Sequence, residues 1–126
     1  MAAVLTAIMQ DSPPAPPADA VLDRLFRTIE SRRGANPESS HTAKLFQKGT
    51  KKIAQKVGEE AVEVVIEAVK NKRERTISES ADLMYHLLVL WADARIEPRE
   101  VWAELARREG ISGIAEKSAR EFENGK

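Results

Sequence analysis

The chain contains no cysteine. This removes disulfides, thiolate nucleophiles and cysteine-ligated zinc together, and it fits a reducing cytoplasm, where we expect the protein to work. Net charge is missing as well: 20 basic and 20 acidic residues cancel. No global field therefore argues for nucleic acid or a membrane surface as partner, and any steering must be local. No apolar run approaches the roughly 20 residues a membrane-spanning helix needs. Residues 1 to 9 are mildly apolar but lack a basic segment, so no signal peptide is expected. Strand-type alternation is absent throughout, which leaves an all-α class, and 126 residues suffice for one domain with a real core.

Punctuation divides the chain. Pro13, Pro14, Pro16 and Pro17 sit among alanines, so residues 1 to 18 are expected to be a disordered arm, 19 to 122 the domain and 123 to 126 a tail. Asp19 is a candidate N-cap for a helix from about Val21 to Arg33, stopped by Gly34. After a polar loop from Ala35 to His41, a helical pattern runs from Thr42 to Asn71, and either Gly49 or Gly58 can break it. Lys72 and Arg73 make a basic turn, and Thr76 or Ser78 can cap a helix from Ile77 to Ala94. Pro98 opens a further helix to about Arg108, Gly110 ends it, and a loose last helix is expected in residues 111 to 126.

What the chain does have is acid in the wrong place. From Leu83 to Ala92 the helix is apolar on nearly every face, which asks for burial. Yet Glu79, Asp82, His86 and Asp93 recur three, four and seven residues apart, on one narrow stripe. The preceding helix supplies Glu60, Glu63 and Glu67 on one face, with Glu59 beside it. On a neighbouring face Val62, Val65, Ile66 and Val69 can pack into a core. Carboxylates are rarely buried unpaired, and two facing acidic stripes repel unless a cation lies between them. The pattern points to a metal site. Oxygen donors without cysteine or a histidine cluster suit Mg²⁺ better than zinc. An apolar ring spanning residues 83 to 92 also exceeds what short flanking helices can cover, so we expect a helical bundle completed by homodimerisation.

The strings Gly58-Glu59-Glu60-Ala61-Val62-Glu63-Val64-Val65 and Glu79-Ser80-Ala81-Asp82-Leu83-Met84-Tyr85-His86 carry a specific resemblance. So do His41-Thr42-Ala43-Lys44-Leu45, Lys51 to Val57 and Gly110-Ile111-Ser112-Gly113. Over residues 20 to 120 the chain resembles the phosphoribosyl-ATP pyrophosphatases of histidine biosynthesis, all-α enzymes of the MazG-like nucleotide pyrophosphatase superfamily. The superfamily signature, Glu-x-x-Glu on one helix and Glu-x-x-Asp on the next, falls on Glu60, Glu63, Glu79 and Asp82. The resemblance implies that these four are the catalytic, Mg²⁺-binding set. It also implies hydrolysis of the α–β phosphoanhydride of phosphoribosyl-ATP to phosphoribosyl-AMP and pyrophosphate. Whether a separate phosphoribosyl-AMP cyclohydrolase docks is left open.

A triphosphate also needs protein cations. Lys44, Lys48, Lys52 and Lys56 are spaced four apart, a basic stripe leading toward the acids if the helix is continuous, and each is either a phosphate contact or a solvated face. Arg73, at the turn between the acidic helices, is a weaker candidate. His86 either touches phosphate or is a hydrogen-bonded core residue. Asp93 lies too many turns beyond Glu79 to share its ion, so it meets the substrate's outer part, a second subunit or a structural partner. His41 reads as structural or solvent-facing, Glu67 as solvated or supporting a ligand. Trp91, Trp102 and Tyr85 read as core or dimer interface rather than base-stacking. Two rival functions remain: a housecleaning nucleoside triphosphate pyrophosphatase using the same carboxylates, and a non-catalytic helical dimer whose acids are satisfied by lysines.

Overall fold

The computed structural model describes residues 17–111 and 113–125 and, among them, holds six helices and no strand. They are α1 (Ala18–Ser31), α2 (His41–Lys48), α3 (Thr50–Val69), α4 (Arg73–Asp93), α5 (Pro98–Arg108) and α6 (Gly113–Asn124). Most of the arm, residues 1 to 16, lies outside the described residues. The chain enters α1 through Pro17 as N-cap, with no side-chain cap, so position 19 is already helical and Asp19 is not the cap expected of it.

The long pattern breaks at Gly49, not at Gly58. Gly49 adopts φ +92° and ψ 178°, a conformation open essentially to glycine alone, whereas Gly58 continues α3. The lysine stripe is therefore split, with Lys44 and Lys48 on α2 and Lys52 and Lys56 on α3. The break is pinned from outside, because Thr50 Oγ1 donates to Asp93 Oδ2 at 2.6 Å and ties the start of α3 to the end of α4.

The α3–α4 turn is tighter than expected. Asn71 takes φ 58°, and the amides of Asn71 and Lys72 return to the carbonyls of Ala68 and Glu67 at 3.0 Å each, which satisfies the last orphan carbonyls of α3. α4 thus begins at Arg73, four residues ahead of expectation. Neither Thr76 nor Ser78 caps it; Thr76 Oγ1 donates back to the Lys72 carbonyl inside the helix. Pro98 opens α5 as expected, behind a reciprocal pair in which Glu97 and Glu100 satisfy each other's backbone amides.

The core gathers at one end of the hairpin. Phe26 and Ile29 of α1, Leu45 of α2, Ile53 of α3 and Leu88, Val89, Trp91 and Ala92 of α4 are buried together, with Val101 and Trp102 of α5 against them. Trp91 and Trp102 meet edge to face at 5.9 Å. Arg33 stacks over Phe46 at 4.6 Å and donates to the Ala92 carbonyl at 2.7 Å, which joins α1, α2 and the end of α4. At the other end the expectation fails. Val62, Val65, Ile66 and Val69 do not enter the core: they are 55%, 60%, 38% and 76% exposed, and Ile77 stands out beside them. Glu67 is buried there instead, with Arg75 Nε 3.2 Å from its Oε2, so it is neither solvated nor adrift.

Candidate active site

The α3–α4 pairing, the most extensive in the molecule, brings the signature residues together. One carboxylate oxygen each from Glu60, Glu79 and Asp82 lies within 4.8 Å of the others. Glu60 and Glu79 are half-buried and Asp82 is exposed, which gives a cluster open on one side. Helix periodicity places Glu79 and Asp82 one turn apart on α4, and the antiparallel hairpin sets Glu60 opposite them. A hydrogen bond with Glu60 holds the Glu79 carboxyl above the usual carboxylate range, helped by burial and by the charges of Glu60, Asp82 and Glu63. Glu63 lies outside the group of three but still adds its charge to Glu79.

Basic residues only partly offset this charge. Lys56 Nζ is 3.1 Å from Glu59 Oε2 and 4.0 Å from Glu60 Oε1, and Gln55 donates to the other Glu59 oxygen at 2.7 Å. The bond to Glu59 holds the Lys56 ammonium above its ordinary value, while Gln55 and Lys56 hold the Glu59 carboxyl down. Among the described residues neither Glu79 nor Asp82 has a basic partner, so the acids are not satisfied internally. Three converging oxygens suit a hard cation that keeps waters and takes its remaining ligands from phosphate.

Four further candidates stand outside this group of three. His86, one turn past Asp82, is buried; its Nδ1 lies 2.8 Å from the Asp82 carbonyl, and its Nε2 is buried without a partner. A carbonyl only accepts, so Nδ1 donates and fixes the ring's orientation. Lys52 is half-buried and lends charge to Glu59. Arg73 pairs with Glu74 at 3.0 Å at the hairpin turn, and Asp93 is held by Thr50.

A model of the family described as phosphoribosyl-ATP pyrophosphohydrolase matches residues 22–109. The chain is 68% identical to the phosphoribosyl-ATP pyrophosphatase of Azospirillum brasilense over 101 residues, 80% of this chain and 91% of that one. It is 59% identical to that of Gluconobacter oxydans over 102 residues, 81% and 77% of the two chains, and 55% identical to that of Rhodospirillum rubrum over 115 residues, 89% and 98%. The chain belongs to the phosphoribosyl-ATP pyrophosphohydrolase family.

Three contacts around this pyrophosphohydrolase cluster were not read from the sequence. Thr42 and Tyr85 share a hydrogen bond between hydroxyls, joining the first turn of α2 to α4. His41 packs on both rings that follow Asp82, stacked on Tyr85 at 6.3 Å and edge-on to His86 at 6.2 Å. Ser40 Oγ accepts from the Ala43 amide at 3.1 Å, and reading Ser40 as an N-cap would have moved His41 out of the loop and onto the helix. The third contact, Glu67 with Arg75, left no sequence signal, since Arg75 stands among four consecutive charged residues at the turn.

Proposed function

We propose that the chain hydrolyses the α–β phosphoanhydride of phosphoribosyl-ATP, giving phosphoribosyl-AMP and pyrophosphate, with Mg²⁺ held by Glu60, Glu79 and Asp82 and supported by Glu63. The observation that carries this is the convergence of three carboxylate oxygens within 4.8 Å in a member of this family. Bound there, the ion would supply charge neutralisation for the phosphates and Lewis-acid activation of water. The chain's own residues divide the remaining work. Lys52 and Lys56 flank the acids and offer ammonium groups to the polyphosphate, with Lys44 and Lys48 farther along on α2. Arg73, His86 and Asp93 stay in this reading as candidate substrate contacts, although Arg73 and Asp93 already hold protein partners.

The reading includes a second copy of the chain. On α3 the polar face turns toward α4 and the valine face turns outward, the reverse of an isolated hairpin's preference. A twofold partner laid on Val62, Val65, Ile66, Val69 and Ile77 would bury that face and complete a four-helix bundle beside each cluster. No helix among the described residues is long and apolar enough to cross a membrane, and we place the reaction in the cytoplasm. Pyrophosphate release from phosphoribosyl-ATP, measured with and without Mg²⁺, tests the assignment. Faster hydrolysis of ordinary nucleoside triphosphates would move it to a housecleaning pyrophosphatase. Absence of any Mg²⁺-dependent hydrolysis or thermal shift would leave only a helical dimer.

A further inference from the structure

Beside the carboxylate cluster, three helices bring basic side chains to one spot. His41, Lys44 and Lys48 are the first, fourth and last residues of α2 and share one face. Lys56 joins them from α3 across the Gly49 break, and His86 from α4. Their effects meet at His41, whose pKa is lowered by burial and then by His86, Lys56, Lys44 and Lys48. α2 contains no acidic residue, and among the described residues His41, Lys44 and Lys48 have no carboxylate partner. By contrast Arg27 has Asp23, Glu30 and Glu97, and Arg108 has Glu104.

The unpaired charge is held in place. Ser40 caps α2, Thr42 is buried against the Tyr85 hydroxyl, and the His41 ring packs on the pair that Tyr85 and His86 form at 4.9 Å. His86, edge-on to His41, is only 6% exposed. Gathering lysines on a braced helix that carries no acidic residue costs free energy, and an anion seated there would recover it.

We propose that His41, Lys44, Lys48 and Lys56, with His86 behind them, form a phosphate subsite on the α2 side of the metal cluster, and that Tyr85 is the positioning residue that holds His41 over it. This rests on the phosphoribosyl-ATP reading and deepens it, because that substrate carries phosphate at two places, the triphosphate and the 5′-phosphate of the added ribose. The shared chemistry is a phosphate group flanked by lysines, and two probes separate its sources.

The full-length chain is titrated calorimetrically with pyrophosphate in the presence of Mg²⁺ and, separately, with ribose 5-phosphate. Variants are His41→Gln, the double variant Lys44→Gln with Lys48→Gln, Tyr85→Phe, and Lys51→Gln as an exposed control. One probe is expected to bind the wild type and to lose about tenfold or more in affinity in the double variant and in His41→Gln, the size of a lost charge-assisted hydrogen bond. Lys51→Gln should leave affinity unchanged. Whichever probe responds names the phosphate. Tyr85→Phe should raise KM for phosphoribosyl-ATP with kcat preserved; a lower melting temperature with KM unchanged would make Tyr85 structural and remove its positioning role. The subsite is overturned if neither probe binds the wild type, or if both bind the variants as tightly as the wild type. If phosphoribosyl-ATP is still hydrolysed in that case, the subsite alone has failed; if the wild type releases no pyrophosphate from it, the reaction assignment has.

Discussion

At one end of the α3–α4 hairpin Ile53, Leu88 and Val89 have no exposed surface, while at the other Val65 and Val69 project into solvent, although both ends belong to the same two helices. The covered end has α1, α2 and α5 laid over it; the open end has nothing among the described residues. Orientation differs as much as cover. At the covered end α3 and α4 meet through apolar side chains, whereas at the open end Glu67 is buried, paired with an exposed Arg75, and the valines face out. The carboxylates Glu60, Glu79 and Asp82 stand where one regime passes into the other. The covered end supplies a rigid base, and the open end lets acidic side chains face one another, which a fully apolar interface would forbid. One pair of helices thus serves as core in one half and as ligand frame in the other.

The largest effect should come from the junction itself. On the proposed metal-site reading, Asp82→Asn removes a metal partner and should nearly abolish pyrophosphate release. In the metal-free protein it also relieves carboxylate repulsion, so the melting temperature without Mg²⁺ should hold or rise while the shift on adding Mg²⁺ shrinks. Marked destabilisation with activity retained would turn the junction into a structural ion-pair network.

At the covered end, Leu88→Ala should cost on the order of 2 to 5 kcal/mol in denaturant unfolding, the usual range for a large-to-small change in a packed core. The open end should respond through association instead. Val65→Asp places a charge on the outward face and should convert a sedimenting dimer into a monomer. If it leaves an unchanged dimer, the partner lies on another surface, and the contrast between the two ends does not arise from assembly.

A smaller effect concerns Glu79. Its folded-state pKa is raised, so the metal-free folded chain holds this proton to higher pH than the unfolded chain does. Stability should therefore fall as pH rises from the ordinary glutamate value through the raised one, and level off above it. Melting temperatures recorded in chelator across that range should show the decline in the wild type and lose it in Glu79→Gln. An equal decline in both would assign it to other groups. Least of all should change on deleting residues 1 to 16, which leaves α1 whole; a large drop in melting temperature or activity would make the arm part of the catalytic unit.

Legibility followed the same divide. Acids on a helix that is otherwise apolar contradict their surroundings in the sequence itself, so Glu79 and Asp82, with Glu60 and Glu63 on the helix before, could be picked out without a structure, and of the four only Glu63 falls outside the group of three. The fold class, the helix opening at Pro98 and the Trp91–Trp102 core were legible from periodicity and punctuation. Which face of α3 turns inward was not, because the valine face and the glutamate face are both coherent stripes and only the approach of α4 chooses between them. Nor could Gly49 be told from Gly58: the bond from Thr50 to Asp93 that fixes the break joins residues 43 apart. The contacts of His41 and Arg75 were missed for the same reason, since each is made to a neighbour on another helix.

The Gly49 break has a consequence for handedness. At φ +92° and ψ 178° an L-residue is strained there, although a Cβ would meet no atom within 4 Å. Reflection turns those angles into the extended region that L-residues favour, so for a D-residue the same backbone is relaxed. A semisynthetic chain carrying D-alanine at this position should keep α2 and α3 at their present angle. It should also have fewer unfolded conformations than the glycine chain, gaining about 0.4 to 1 kcal/mol of stability. L-alanine in the same place should lose stability, so this junction can be probed by mirror image alone, with composition, charge and volume held constant.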